Sequence, residues 1–101
     1  QTIIPSRDEV TIDPNIPVTI VCPKINDTNL ILPDGEDGVS KIILLKTDLS
    51  VSCKVKVRSF SFPAGKHEST GILSFRNNGD SAQLIWTGSE WMITNSGCEV
   101  L

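Results

Sequence analysis

The chain has few of the residues on which metal sites and reactive centres depend. It contains one histidine and no tyrosine, and its three cysteines, Cys22, Cys53 and Cys98, stand far apart with no Cys-x-x-Cys pair. Zinc sites place their cysteine and histidine ligands at short, regular spacings, and no such spacing occurs in this chain. The sequence therefore predicts no metal site and no cofactor.

A surplus of positive charge and a long apolar run are also missing. The formal net charge is −3 and the pI is about 4.9, whereas a nucleic-acid module presents a basic face to its phosphate partner. No apolar run approaches the ~20 residues of a membrane-spanning helix. We therefore expect neither nucleic-acid binding nor membrane insertion.

Catalytic residue types come together at one place, His67-Glu68-Ser69. Adjacent residues on a strand point to opposite faces, whereas a hydrolase triad needs converging side chains and an oxyanion hole. Neither a second acid nor an oxyanion loop accompanies these residues. We interpret the segment as a polar loop, and we expect that the protein is not an enzyme.

Signals for helices are nearly absent, whereas β-branched runs bounded by Pro, Gly, Asn and Asp recur along all 101 residues. This pattern predicts an all-β fold, an antiparallel sandwich or a barrel. Because the chain begins at Gln1, we interpret residues 1–101 as a single β domain from a longer protein. Strands are predicted at Glu9–Asp13, Pro17–Cys22, Thr28–Leu32, Ser40–Lys46, Ser50–Arg58, Gly71–Phe75, Ala82–Thr87 and Trp91–Asn95.

Two of the cysteines, Cys22 and Cys53, lie in apolar strand patterns, where a free thiol behaves as a small buried hydrophobe. Three is an odd number, so a disulfide would leave one thiol over. We expect three reduced thiols, which suit assembly in a cytoplasm; one disulfide with a leftover thiol is the alternative.

The strand Ser50–Arg58 alternates most regularly, with an apolar face and a basic face. The basic stripe concentrates positive charge in an acidic chain, and it consists of Lys54, Lys56 and Arg58. It is either a solvated outer face or a binding site for an anionic surface such as a sialylated or sulfated glycan. These three residues are our candidates for receptor contact.

Trp86 and Trp91 flank the turn Thr87–Glu90. Trp86 shares a face with Ala82 and Leu84, so we expect it in the core. Trp91 is a candidate for stacking on a sugar ring. This possibility motivates an alternative function, an independent carbohydrate-binding module.

Two strands, Leu30–Leu32 and Ile42–Leu45, are apolar on both faces. A strand buried on both sides needs a covering layer on each side, which a two-sheet sandwich without helices does not supply. Copies of the same chain would supply it, so the sequence predicts a homo-oligomer. A well-covered single barrel is the alternative.

The order of turns and strands resembles the β-rich domains of viral fibre, spike and tail proteins. The resemblance covers roughly residues 28–95, with an acidic LPDG turn before an apolar strand and a GDSA turn before a strand that ends in tryptophan. It rests on Leu32-Pro33-Asp34-Gly35, Gly38, Lys41–Leu45, Gly79-Asp80-Ser81-Ala82, Trp86 and Trp91-Met92-Ile93.

Such domains imply a fibre-head module at the virion surface that assembles as a homotrimer. Their role is fibre assembly, host-cell attachment through a glycan or protein receptor, or both. The resemblance carries no catalytic residue. An immunoglobulin-like domain fits less well, because no tryptophan lies between Cys22 and Cys53.

Overall fold

The computed structural model describes residues 2–5, 9–47, 51–61 and 71–101, and within these ranges the fold is all-β, as predicted. The strands form two sheets, sheet A in the order β1-β3-β5-β9-β10-β7 and sheet B in the order β11-β8-β6-β4-β2. The segment His67–Ser69 lies outside the described residues. The strands are β1 (Thr2–Ile3), β2 (Val10–Thr11), β3 (Val18–Val21), β4 (Thr28–Leu32), β5 (Ser40–Leu45), β6 (Cys53–Val57), β7 (Phe60–Ser61), β8 (Ile72–Phe75), β9 (Ser81–Trp86), β10 (Trp91–Gly97) and β11 (Glu99–Val100).

In the first half of the chain, which we call the winding half, the strands β1 to β6 alternate between sheet A and sheet B. Strands β1, β3 and β5 are parallel neighbours in sheet A, and β2, β4 and β6 are parallel neighbours in sheet B. Each of the first four links contains proline, which ends a ladder because it lacks an amide hydrogen. The chain therefore crosses to the facing sheet after each strand instead of returning in a hairpin.

The second half of the chain, β7 to β11, runs back, and its strands that pair with the first half do so in antiparallel orientation. Strand β8 pairs antiparallel with β6, and β9 pairs antiparallel with β5 and β10. Strand β7 is parallel to β10, and β11 is antiparallel to β8. Both sheets are consequently mixed, and the expectation of an antiparallel sandwich or barrel was wrong in this respect. The short links look like hairpin turns in the sequence, but most of them join different sheets.

The core lies between the two sheets, because alternate residues of each strand point inward. All eight strands predicted from the sequence overlap observed ones, and the two-residue strands β1, β7 and β11 are additional. The buried apolar residues are Ile12, Val21, Leu30, Leu32, Ile43, Leu45, Cys53, Val55, Val57, Leu73, Phe75, Ala82, Leu84, Trp86, Trp91 and Ile93.

One lysine, Lys41 of β5, is buried at the inner face of sheet A. Its Nζ donates hydrogen bonds to the backbone oxygens of Asp13 (2.9 Å) and Ile16 (2.6 Å) and to Oγ1 of Thr19. These contacts fasten the link between β2 and β3 to β5. Burial lowers the pKa of Lys41 to about 8, against the opposing effect of the Asp13 carboxylate, so the amine is protonated at neutral pH.

We expect Lys41→Met to destabilise the fold, because it leaves two partly buried backbone oxygens without their donor. The loss should be about 2 kcal/mol, or a fall in Tm of about 10 °C in thermal denaturation followed by circular dichroism. Lys46→Met, at an exposed lysine just after β5, is the matched control and should leave Tm nearly unchanged. Equal Tm values for the two variants would show that the Lys41 contacts add no net stability.

The same pair of proteins should differ in pH dependence. The pKa of Lys41 is about 8 in the folded chain and 10.5 in its ordinary state. Between these pH values Lys41 is more fully protonated in the unfolded chain than in the folded chain. Its contribution to the free energy of unfolding therefore rises with pH. The stability advantage of the wild type over Lys41→Met should therefore grow above pH 8 in urea denaturation.

Candidate functional site

The basic stripe lies on the outer surface of sheet B. Strand β6 is the central strand of this sheet, and Lys54 and Lys56 project from its outer face. Lys54 is half-buried and Lys56 is exposed, and Arg58 is exposed just past the end of the strand. The structure thus places the predicted residues on the surface of the molecule, in the middle of a sheet rather than at its edge.

Lys54 and Lys56 line a groove of about 440 Å³ on this surface. The strand register places Asn29 and Ser74 on either side of Lys54, and Ile31 and Ile72 on either side of Lys56. The surface therefore has two neighbouring cross-strand rows. The row of Lys54 is polar, and in the other row Lys56 lies between two isoleucines. The residues that line the groove are Glu9, Asn29, Leu30, Ile31, Lys54, Lys56 and Ile72.

The lysines of the groove are available to an external anion. Across the described part of the chain, the one ion pair joins Arg76 to Glu99 at 3.3 Å. The register places Glu99 in the same cross-strand row as Lys54. Because Glu99 is paired with Arg76, the negative charge of Glu99 is already offset. Among the residues that the structure describes, Glu9 is the only acidic one that lines the groove.

The backbone at Glu9 has a left-handed conformation, with φ of 63°. Such a conformation is uncommon for residues other than glycine. The N–H of Glu9 donates to the Asn29 oxygen at 2.7 Å, and this bond fixes Glu9 at the border of the groove. The sequence prediction placed Glu9 in a regular strand, so it missed this residue as a part of the groove.

Trp91 is fully buried, so it offers no face to a sugar ring. Its Nε1 donates to the Pro33 oxygen at 2.8 Å, and its ring meets that of Trp86 edge-on, with the centroids 5.5 Å apart. A Cβ at Gly35 would lie 2.7 Å from Trp91 Cζ2. Trp91 is therefore a core residue, and the sugar-stacking interpretation of it is withdrawn. The LPDG turn and the second tryptophan form one packing unit.

Gly35→Ala should destabilise the fold because its methyl group would overlap the Trp91 ring. We expect a loss of about 1–3 kcal/mol in urea denaturation, with a change in tryptophan fluorescence as the ring moves. Gly38→Ala is the control: φ is +80° there, but no atom lies within 4 Å of the added Cβ. The Gly38 variant strains the backbone but does not displace the Trp91 ring, so its fluorescence spectrum should be unchanged. Equal spectra for the two variants would contradict the packing unit.

The outer face of sheet A is a second candidate surface, and it is uncharged. Lys41, which points inward, is the only charged residue in the described strands of sheet A. The register brings Val18 beside Ile42, and Ile85 beside Met92. Exposed fractions of 41% for Val18, 36% for Ile42 and 43% for Ile85 are high for large aliphatic residues. The register also places Gln83 beside Ile42 and Ser40 beside Ile85 on this side of the sheet. We call this surface the apolar face; its apolar residues are Val18, Ile20, Ile42, Leu44, Ile85 and Met92.

The three cysteines are free in the structure. Burial raises the pKa of Cys53 to about 12 and that of Cys98 to about 11, and neighbouring Cys98 and Asp80, respectively, add to these shifts. Because the thiolate is the nucleophilic form, Cys53 and Cys98 are packing residues rather than reactive centres.

No cluster of metal ligands and no membrane-spanning helix occurs in the described ranges. No group of three His, Cys, Asp or Glu side chains within them is arranged to hold a metal ion. Nothing in the same ranges forms a helix that is long and apolar enough to cross a membrane.

Comparison with known proteins adds no relative. The chain matches no protein-family model. No curated protein is significantly similar to it. The case for a function therefore rests on the geometry and chemistry of the two outer surfaces.

Proposed function

We propose that this chain is a β-rich module of a viral fibre or spike, which assembles as a homotrimer and takes part in host-cell attachment at the virion surface. The observation that supports the proposal most is the uncharged apolar face, which a single chain leaves exposed. The order of the LPDG and GDSA turns supports the viral and trimeric parts of the proposal by resemblance.

Self-association is the use that best fits the chemistry of the apolar face. Contiguous exposed apolar surface is uncommon on monomers, and the centres of interfaces are poor in charged residues. The contrast with sheet B is informative, because its strands carry Lys54, Lys56 and Glu99 on their outer surface. One outer surface is thus suited to burial, and the other is suited to water.

The two surfaces divide assembly and attachment between the sheets. In a threefold assembly each interface joins two different patches of neighbouring copies, so different parts of the apolar face would contact the two neighbours. The outer surface of sheet B would then face away from the axis, and the basic stripe would remain accessible. An independent carbohydrate-binding module is the weaker candidate, because Trp91, the residue that motivated it, is buried.

We expect the purified domain to be a trimer at micromolar concentration, and Ile85→Lys to reduce it to a monomer by placing a charge in the interface. Sedimentation equilibrium or light scattering gives the mass directly. Ile25→Lys is the matched control, because Ile25 is 45% exposed, close to the 43% of Ile85, but lies in the link between β3 and β4. It should remain trimeric.

A wild-type domain that stays monomeric would refute the homotrimer. A mass shift that is equal in Ile25→Lys and Ile85→Lys would place the interface elsewhere. Circular dichroism spectra of each variant establish that it is folded before its mass is interpreted.

Reversal of the basic stripe, with Lys54→Glu, Lys56→Glu and Arg58→Glu together, should reduce attachment to cells and leave Tm nearly unchanged. Exposed charges attract an anionic surface over about 10 Å at moderate salt, so wild-type attachment should also weaken as salt rises. Attachment that persists would identify the stripe as a solvated face. Collapse of the fold or of the oligomer would place the stripe in a subunit interface.

A further inference from the structure

We infer that the groove on the outer surface of sheet B binds an anionic saccharide, a sugar that carries a carboxylate or a sulfate. This inference rests on the attachment role proposed above, for which it names the ligand and the site. It rests on the chemistry of the groove, on two lysines that form no ion pair with a described residue, and on the rigidity of the strands that form it.

The groove combines the groups that a charged sugar requires. Ile31 and Ile72 provide apolar surface on either side of Lys56, which suits the C–H face of a pyranose ring. The ammonium groups of Lys54 and Lys56 suit one carboxylate or sulfate, and hydrogen bonds to charged groups are the stronger class. Glu9, which is exposed at the border of the groove, supplies a carboxylate for ring hydroxyls.

The charge balance of the groove favours an anion. Of the described residues, two lysines and one glutamate line it, which gives them a formal charge of +1 in a chain whose net charge is −3. Neither lysine forms an ion pair with another described residue, and the acid in the same row, Glu99, is already paired with Arg76. A ligand with one negative group therefore meets two lysines that no described residue holds in an ion pair.

The strands that carry the groove are held on both sides, so little ordering is needed on binding. Strand β6 pairs with β4 along five residues and with β8 along four. Beside Lys54, Ser74 is 2% exposed, and its Oγ accepts a hydrogen bond from Arg76 Nε at 3.4 Å. Glu9 is fixed by its backbone bond to Asn29 in a strained conformation of the kind that is found at binding sites. A rigid site loses less entropy when the ligand binds.

The shape of the groove favours a small sugar over larger anionic partners. Its volume of about 440 Å³ lies within the 300–1,000 Å³ that small-molecule sites occupy. A peptide that adds a strand needs a free sheet edge, whereas the groove lies over the middle strands of sheet B. A planar anionic membrane would contact exposed Lys56 and Arg58 but would not enter a concave site.

The test is a titration of the ¹⁵N-labelled protein with sialyllactose, with a sulfated heparin disaccharide and with neutral lactose. We expect amides in Asn29–Ile31 and Lys54–Lys56 to shift with at least one of the charged sugars, with a Kd on the order of 1 mM, and not with lactose. The double variant Lys54→Glu, Lys56→Glu should weaken this binding by about tenfold or more. The matched control, Lys24→Glu with Lys46→Glu, makes the same change in net charge at exposed sites and should bind as the wild type does.

Four results would overturn the inference: no shift with either charged sugar, equal shifts with lactose, equal losses in the two double variants, or binding to phosphatidylserine vesicles without binding to sugars. The responses to sialyllactose and to the sulfated disaccharide identify which anionic group is preferred. The mass of each sample separates the two proposals. A trimer that binds no sugar contradicts the groove alone, and a monomer that binds sugar contradicts the assembly alone.

Discussion

The indole of Trp91 joins the two halves of this fold. Its N–H bonds to the Pro33 oxygen, which belongs to the link between β4 and β5 in the winding half, while Trp91 itself begins β10 in the half that runs back. Gly35 lets the indole ring lie against the same link, and the ring of Trp86 packs edge-on against that of Trp91. This contact holds the acidic turn at residues 33–39 on the end of the core, together with the hydrogen bond from the Trp86 N–H to the Val39 oxygen at 2.9 Å.

Lys41 has the corresponding role at another link. It is a charged residue in a strand that is otherwise apolar, and burial alone would make it unfavourable. Three acceptors compensate for that cost, and two of them are backbone oxygens between β2 and β3. The prolines in four of these links cannot donate ladder hydrogen bonds, and side chains from sheet A hold two of the links in place.

The sequence predicted the positions of the longer strands well and their partners poorly. Thr28–Leu32 was predicted to the residue, because apolar alternation and flanking turn residues both mark it. The parallel pairing of β4 with β6 is not visible in either segment, because alternation reports which side chains are buried and not which strand is adjacent. The inward direction of Trp91 depends on Gly35, and the left-handed backbone of Glu9 depends on Asn29. Both partners are distant in sequence. The basic stripe was found because its residues lie on one strand or directly after it, whereas the groove needed residues from four segments of the chain.

The lengths of the outermost strands bear on how copies of this chain approach one another. As far as the described residues extend, each sheet ends on both sides in a strand of two residues: β1 and β7 in sheet A, and β2 and β11 in sheet B. An open edge is a template for indefinite strand addition, and shortening it is a common protection against aggregation. Copies of this chain at high density would therefore find few backbone groups with which to polymerise. Contacts between side chains on the sheet faces, which are specific and limited in number, would then determine where growth of the assembly stops.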